Sequence, residues 1–555
     1  MRYASTNTCA RLLLLTLAGL GLTSAARALD PKSKWVRAKT DYVEVLSSAS
    51  QKEAIEYALQ YSAFRYVFGE MMGEKARQLP PTIVVLFRQR REFEANFPPR
   101  DKKADLVSVS YVADGQPLQA HALDSDRERA LRLAFEFETT WAMPRLGYGL
   151  PVWAGQGTGK VFSTIKLRGG VCVLGDYFAS SVDRWLVAPI PWPRFFDINL
   201  LSKEYSNTDG PGSYHSQAWA FMHYLWLSDG QGPERFQQLV ERLRTEPEMQ
   251  AALAVLKIPA ADLTKTLSRY TGKMNRTRDF KIDEAAWRAR METGPADRAL
   301  VGVHLSDLMR GFQQNDAAER ELALARVAAP DHPTIREARA REAWARRDWQ
   351  EALSLYREAI ALNSTNFHAY IYSAEDWLNQ SSSRGADEAG GGGTITETAI
   401  AELRRALQIN PYEDHAYRVL ARAFYVRPEI TEEHLNDLQP GILLGDSTGL
   451  IRYYRALVYG RLKKIPEYQA ALEALAAAPA IQASLRGEVA VRLGKIHYNV
   501  LADAVEKLAG EGRFPEARAL VTQARATTLK DADFEQPLGK MVKWLDASER
   551  AKTKK

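Results

Sequence analysis

Cysteine is scarce in this chain: only Cys9 and Cys172 occur among 555 residues. A framework of several disulfides is therefore excluded, and with it the small folds that depend on one. Long apolar runs are scarce as well, because the one such run, at 12–22, has 11 residues, whereas a membrane-spanning helix needs about 20. Net charge is low, at +6 with histidine neutral, which argues against a nucleic-acid-binding protein.

The N-terminus has the three parts of a secretory signal peptide. Arg2 and Arg11 precede the apolar run, and the small-residue sequence A-R-A at 26–28 follows it. We expect residues 1–28 to be removed by cleavage after Ala28. The mature protein would then be periplasmic or secreted, with no membrane span and a net charge of +3, because three arginines are lost with the signal.

Self-similarity marks the C-terminal half. Similar helix endings occur at Pro330, Ser364 and Pro411, the first two 34 residues apart and the second two 47 apart. The surplus of 13 residues matches the polar, glycine-rich segment 381–393, which we interpret as a flexible insertion. With this insertion set aside, the chain repeats every 34 residues.

This period and its small residues resemble the tetratricopeptide repeat. In that family, the second helix of each repeat has a small residue, a large apolar or aromatic residue four positions later, and an alanine three positions after that. The resemblance implies an all-α solenoid, which we place at residues 297–545. The alternative is an ordinary amphipathic helix bundle. The three sets in this chain are Ala318, Leu322 and Ala325; Ala352, Tyr356 and Ala359; and Ala399, Leu403 and Ala406.

A solenoid of this kind curves and presents one set of helices on its concave face. The groove-facing side chains are polar with an excess of arginine, which suits an extended peptide or an acidic protein segment as partner. The alternative is a solvated face without a dedicated ligand. The repeat register assigns to the groove Asp307, Arg310, Arg341, Trp344, His368, Glu375, Asn379, His415, Arg418 and Arg422.

The N-terminal half has the pattern of an α+β domain. Residues 41–46 alternate like a strand, and residues 81–87 form an apolar run typical of a buried strand. A further strand is expected around 106–112. Helical spacing is found at 52–68 and at about 126–141, and the sequence that follows is mostly helical.

Three segments within residues 33–275 resemble a family of exported bacterial proteins in which a gluzincin, peptidase-MA-like domain precedes tetratricopeptide repeats. They are W-V-R-A-K-T-D at 35–41, L-P-V-W-A-G-Q-G at 150–157 and the helix at 214–225. Active members of that family bind zinc through a helical H-E-x-x-H motif and a later glutamate. Two histidines four positions apart share a helical face and reach one ion, and the glutamate beside the first is the general base.

The resemblance places this motif at residues 135–139, where it is degenerate. Phe135 and Thr139 occupy the histidine positions, Gln156 the third ligand position and Glu136 the base position. A phenyl ring, a hydroxyl and a neutral amide cannot replace two imidazoles and a carboxylate as zinc ligands. We therefore expect neither zinc nor another cofactor, and we interpret the domain as a pseudopeptidase.

These observations predict a multidomain protein. The signal peptide is followed by the gluzincin-like α+β domain at 29–275, a linker at 276–296, the solenoid at 297–545 and a basic tail at 546–555. The sequence G-Q-G-T-G-K at 155–160 lacks the first glycine and the hydroxyl residue of a Walker phosphate loop. We interpret its glycines as a tight turn at the start of a helix.

The sequence favours an exported, non-catalytic scaffold that binds a protein or peptide through the repeat groove and does not bind nucleic acid. Two alternatives remain open. One is a hydrolase or peptidase that acts through Glu136 or through a metal site not recognised in the sequence. The other is a role in envelope assembly or secretion, which no particular residue selects.

Overall fold

A computed structural model describes residues 34–99, 105–176, 187–206, 213–271, 276–383, 391–444, 446, 448–478, 481, 483–529 and 532–553. The predicted signal peptide lies outside the described residues, as does the centre of the predicted insertion. The described residues divide between two compact units. Unit 1 takes those within Met1–Leu59, Thr82–Ala134 and Ala285–Pro330, and unit 2 takes those within Gln60–Pro81, Phe135–Glu284 and Asp331–Lys555.

The strands are β1 Val36–Lys39, β2 Val43–Ser47, β3 Thr82–Phe87, β4 Ser108–Ala113, β5 Gln116–Ala122, β6 Lys166–Arg168, β7 Val171–Leu174, β8 Arg278–Lys281 and β9 Glu292–Pro295. The helices up to the end of the α+β region are α1 Gln51–Met72, α2 Glu74–Arg77, α3 Arg90–Asn96, α4 Arg127–Arg145, α5 Val152–Phe162, α6 Trp192–Phe196, α7 Lys203–Ser206, α8 Tyr214–Leu227, α9 Gly232–Leu243, α10 Glu248–Leu256, α11 Ala260–Thr271 and α12 Glu284–Arg290.

The remaining helices form the C-terminal part of the chain. They are α13 Arg298–Gly311, α14 Asn315–Ala328, α15 Pro333–Ala345, α16 Trp349–Ala361, α17 Phe367–Ser383, α18 Gly391–Ile409, α19 Asp414–Val426, α20 Glu433–Asn436, α21 Gln439–Leu443, α22 Leu450–Arg461, α23 Ile465–Ala477, α24 Ala483–Gly510, α25 Phe514–Ala526 and α26 Ala532–Thr553. None of the described helices is both long and apolar enough to cross a membrane.

Unit 1 is built on a six-stranded mixed sheet with the strand order β4-β5-β3-β2-β1-β9. Strands β2, β3 and β5 are parallel neighbours, whereas β4, β1 and β9 pair antiparallel. Every residue of β3 is buried, as expected for the apolar strand in the middle of a sheet covered on both faces. The predicted strands at 41–46, 81–87 and 106–112 are confirmed as β2, β3 and β4, and the two predicted helices as α1 and α4.

Helices α13 and α14 pack on this sheet within unit 1. Val301 and Leu305 of α13 and Ala318 of α14 share one hydrophobic core with Ile83 and Val85 of β3. The first helix of the predicted solenoid, α13, therefore packs against the sheet.

The C-terminal part of unit 2 is entirely helical where it is described. Helices α15 and α16, α17 and α18, α22 and α23, and α24 and α25 pack as neighbouring pairs. The nine small and large residues that define the repeats, in α14, α16 and α18, are all buried. The same contact occurs at the start of α17 and of α19: the hydroxyl of Tyr370 donates to the carbonyl of Ser364 at 2.9 Å, and that of Tyr417 to the carbonyl of Pro411 at 3.2 Å.

Three predicted boundaries differ from the structure. The predicted linker 276–296 contains β8, which pairs with β7, and β9, which pairs with β1. The ends of the predicted insertion 381–393 are helical, because α17 continues to Ser383 and α18 begins at Gly391. The described part of the predicted tail is also helical, since α26 continues to Thr553.

Candidate functional site

The first position of the predicted degenerate zinc motif belongs to the hydrophobic core of unit 2. Phe135 of α4 is buried, and its ring stacks on Phe64 of α1 with 4.4 Å between centroids and 3° between planes. The ring of Tyr61 meets it edge-on, at 5.1 Å and 83°. Such aromatic pairs are stabilised by their quadrupoles as well as by burial. The residue at this position therefore packs and presents no ligand atom.

The second histidine position is also buried. The hydroxyl of Thr139 makes no hydrogen bond among the described residues. Beside it, Glu138 Oε1 lies 2.8 Å from Nη1 of Arg65 in a buried ion pair. Arg65 also donates to the carbonyl oxygens of Pro80 at 3.0 Å and Leu79 at 2.7 Å. This network was not evident from the sequence, and it ties α4 to α1.

Glu136, at the base position, faces α5. Its Oε2 lies 3.2 Å from Nζ of Lys160, and both side chains are partly exposed. Gly159 allows the two helices to approach, because a Cβ there would lie 3.3 Å from the carbonyl oxygen of Glu136. The Glu136 carboxylate is thus held by an ammonium group whose charge balances its own.

Polar side chains gather around this ion pair. Gln156, at the third ligand position, donates through Nε2 to the hydroxyl of Tyr205 at 3.2 Å. Nε2 of His215 lies 2.8 Å from the carbonyl of Tyr205, so this nitrogen carries the proton. Burial and the charge of Lys160 lower the pKa of His215, whereas burial and the charge of Glu136 raise the pKa of Tyr205. We call Glu136, Gln156, Lys160, Tyr205 and His215 the polar cluster.

The polar cluster does not have the chemistry of a zinc site. It offers one neutral imidazole, a phenol, an amide and an ion pair, whereas zinc takes three nitrogen, sulfur or carboxylate ligands at about 2.0–2.3 Å. Lys160 would add a second positive charge beside the metal. No three histidine, cysteine, aspartate or glutamate side chains among the described residues are grouped to hold a metal ion. The residues present therefore do not fit the zinc ion that active members of the resembled family bind.

The glycines at 155–160 lie inside α5, so the predicted turn at the start of a helix is wrong. The helix begins at Val152. A Cβ at Gly157 would collide with the carbonyl oxygen of Ala218 on α8. The glycines thus allow α5 to pack closely against α8, and Gly159 does the same against α4.

Four of the predicted groove residues meet between α17 and α19. Nε2 of His415 lies 2.9 Å from Oε1 of Glu375. Further along the two helices, one turn after Glu375 and two turns after His415, Nη2 of Arg422 donates to Oδ1 of Asn379 at 2.9 Å. These two contacts place the four residues side by side on α17 and α19.

The other arginines of the predicted groove are placed differently. Arg418 pairs with Asp414 on its own helix at 2.9 Å. Arg341 lies on α15, one turn before Trp344. Arg310 lies on α13 and belongs to unit 1, as does the buried Asp307.

Aromatic rings extend this face along α15 and α17. Trp344 stacks on Tyr372 at 4.9 Å and 26°, and it meets Trp349 edge-on at 4.8 Å and 75°. The ring of His368 also stacks on Tyr372, with 5.7 Å between centroids and 23° between planes. Trp349 and Tyr372 were not among the predicted groove residues. Trp349 begins α16, whose side chains were not assigned to the groove, and Tyr372 does not stand at a position that the repeat pattern specifies.

Comparisons with known proteins add no relative: no protein-family model, no curated protein sequence and no solved structure matches the chain.

Proposed function

We propose that the protein is an exported, non-catalytic scaffold that binds a protein or peptide through the face formed by α15, α17 and α19. In this proposal the α+β region is a degenerate, peptidase-MA-like domain, and the helical region is a tetratricopeptide-type solenoid. The signal peptide suggested by the N-terminal sequence would direct the chain to the periplasm or the exterior.

The main support for the proposal is that side chains of the predicted motif on α4 are engaged in packing and ion pairing. Phe135 is locked in an aromatic stack, and Glu136 is paired with Lys160. A general base must present a free lone pair to a water or substrate proton. A carboxylate bonded to an ammonium is poorly suited to activating water.

The shared face of the helices supports the binding half of the proposal. Contacts between His415 and Glu375, and between Arg422 and Asn379, hold side chains of two helices in a fixed pattern. A rigid polar face loses little conformational entropy on binding, which favours recognition of an extended segment.

A second candidate, a metal-free hydrolase, is favoured by one observation. Tyr205 and His215 converge on the Glu136–Lys160 pair, and all four are partly exposed. Incubating the mature chain with a quenched fluorogenic peptide library distinguishes the two candidates. We expect no turnover above that of a heat-denatured sample. Turnover that Glu136→Gln abolishes would establish the hydrolase.

The binding half is tested with the full mature chain and envelope extract. We expect a triple charge reversal at Arg341, Arg418 and Arg422 to lose partners that the wild type recovers. A control reversal at Arg244, Arg404 and Arg513, which are exposed and lie on other faces, should recover them all. Equal recovery by both variants would remove the groove proposal.

A further inference from the structure

Two indole rings are exposed at the turn between α15 and α16. Trp344 lies in the last turn of α15 and Trp349 is the first residue of α16, and they are 38% and 46% exposed. Large exposed aromatic rings in contact with one another form an apolar patch that water solvates poorly. Together with Tyr372 and His368, they form a continuous row of rings, which we call the aromatic shelf.

The turn that carries the two indoles is fixed by backbone hydrogen bonds. Arg347 has a positive φ of 66°, its N–H donates to the carbonyl of Trp344 at 3.0 Å, and the N–H of Asp348 donates to the carbonyl of Ala343 at 2.9 Å. This pair of bonds is the Schellman motif that ends many helices. The carboxylate of Asp348 then accepts from the N–H of Glu351 at 3.1 Å and caps α16.

The shelf rests on a packed base. Ala340 and Ala343 of α15 and Tyr356 of α16 are buried in one cluster, against which Tyr372 packs. Tyr372 also contacts Tyr356 ring to ring at 5.4 Å. The exposed rings therefore pack, through Tyr372, on a buried cluster that fixes their positions without a partner.

The charge around the shelf favours an anionic ligand. Glu351 is paired with Arg346 at 2.8 Å, and Glu375 lies against His415. Arg422, on the same face, bonds to the neutral amide of Asn379 and forms no ion pair among the described residues. No carboxylate that the structure describes therefore balances its positive charge.

We propose that the aromatic shelf and Arg422 bind an extended, acidic segment of a protein that contains proline. Proline rings stack on exposed indoles, and a proline-containing segment is already extended, so that little entropy is lost on binding. The acidic residues of the segment lie toward Arg422. This inference rests on the proposed function and names the class of its partner.

Two other ligands fit less well. A cationic side chain could stack on the indoles, but Arg422 on the same face would repel it. A sugar could stack on them too, but its hydroxyl groups need acceptors, and the carboxylates Glu351 and Glu375 are already engaged.

The test selects phage-displayed random dodecapeptides on the immobilised mature chain and measures the affinity of enriched peptides by fluorescence anisotropy. We expect enrichment of proline with aspartate or glutamate. Trp344→Ala should weaken binding by about 10- to 100-fold, whereas Trp344→Phe should retain most of it. The control is Trp544→Ala, because Trp544 is similarly exposed on α26; this variant should bind as the wild type does.

Arg422→Gln should weaken binding and reduce the dependence of affinity on salt, whereas Arg404→Gln should change neither. Equal affinity of Trp344→Ala and Trp544→Ala would overturn the proposal, as would enrichment of basic peptides or binding of a glycan array in place of peptides. If peptides bind and only the reversal at Arg341, Arg418 and Arg422 abolishes binding, the groove stands and the shelf does not. If no variant binds any peptide, both proposals fall.

Discussion

At the scale of single residues, the motif on α4 alternates between two environments. Phe135 and Glu138 point into the core formed with α1, where one stacks on Phe64 and the other pairs with Arg65. Glu136 lies on the α5 side with Lys160. A sequence motif read along the chain does not show which neighbours lie on each side, so both ion pairs were missed.

The buried ion pair predicts a large effect of removing one partner. Arg65 and Glu138 are only 1% and 2% exposed. Arg65→Met leaves the Glu138 carboxylate buried without a counter-charge, so we expect a loss of about 3–5 kcal/mol of unfolding free energy. Urea unfolding followed by tryptophan fluorescence measures it.

The control is Arg244→Met, whose exposed pair with Glu241 should contribute about 0–1 kcal/mol. A loss of similar size in both variants would show that the Arg65–Glu138 pair is not a structural anchor.

The buried His223 makes stability depend on pH. Its Nε2 lies 3.1 Å from the carbonyl of Gly175, its Nδ1 lies 2.8 Å from the hydroxyl of Tyr270, and burial lowers its pKa to about 4. The unfolded chain has a histidine pKa of about 6.5 and so binds the proton more tightly. The contribution of this ring to stability is therefore complete above pH 6.5 and is lost as the pH falls toward 4.

We expect His223→Gln to flatten the fall of unfolding free energy between these pH values by up to about 1.4 kcal/mol per pH unit. Thermal unfolding across a pH series measures the slope. An unchanged slope would mean that His223 is protonated in the folded state. His121, which is buried with a pKa lowered to about 3, should preserve the remaining slope in the variant.

At the scale of elements, one turn recurs between paired helices. Gln313, Arg347, Lys463 and Gly512 all have positive φ, and each is followed by a residue whose N–H bonds to the carbonyl five positions earlier. Gln313 and Arg347 are 34 residues apart. The interval between the first two of these turns therefore equals the period read from the sequence, and only the last of the four turns uses glycine.

Replacing Arg347 with glycine should make the folded protein more stable. A residue with a side chain in the left-handed region costs about 1 kcal/mol relative to glycine, so we expect Arg347→Gly to stabilise the protein by up to that amount. Differential scanning calorimetry gives the change in Tm.

The neighbouring Arg346 has helical backbone angles, and Arg346→Gly should destabilise by about 0.5–1 kcal/mol. A higher Tm for Arg347→Gly together with a lower Tm for Arg346→Gly would support the turn. Destabilisation by both would contradict it.

At the scale of the whole molecule, the compact units do not follow the predicted domains. The spacing of apolar residues predicted β2, β3, β4, α1 and α4, and the alanine spacing predicted positions that are buried. Pairing between distant strands was not predictable, because β9 is exposed apart from its ladder and has the composition of a linker. Nor could spacing show that Lys160 reaches Glu136 or that Trp349 reaches Trp344, since both contacts join different helices.

Unit 2 contains residues from both predicted domains. We therefore expect its helical region to be stabilised by contacts with residues of the predicted α+β domain. Nζ of Lys75, in α2, donates to the carbonyl of Leu444 at 2.7 Å and lies 3.4 Å from the carbonyl of Leu146. We expect residues 331–555 expressed alone to melt at a lower temperature than the helical region of the full chain, as followed by circular dichroism. A fragment that melts at the same temperature would show that the helical region is independent.

The most direct test of the central claim is a calorimetric titration of zinc into the mature protein after chelator treatment, with Phe135→His, Thr139→His and Gln156→Glu combined as the comparison. We expect no stoichiometric binding by the wild type, because its motif offers an aromatic ring, a hydroxyl and an amide. Stoichiometric zinc binding by the wild type, lost on Glu136→Gln or His215→Gln, would contradict it.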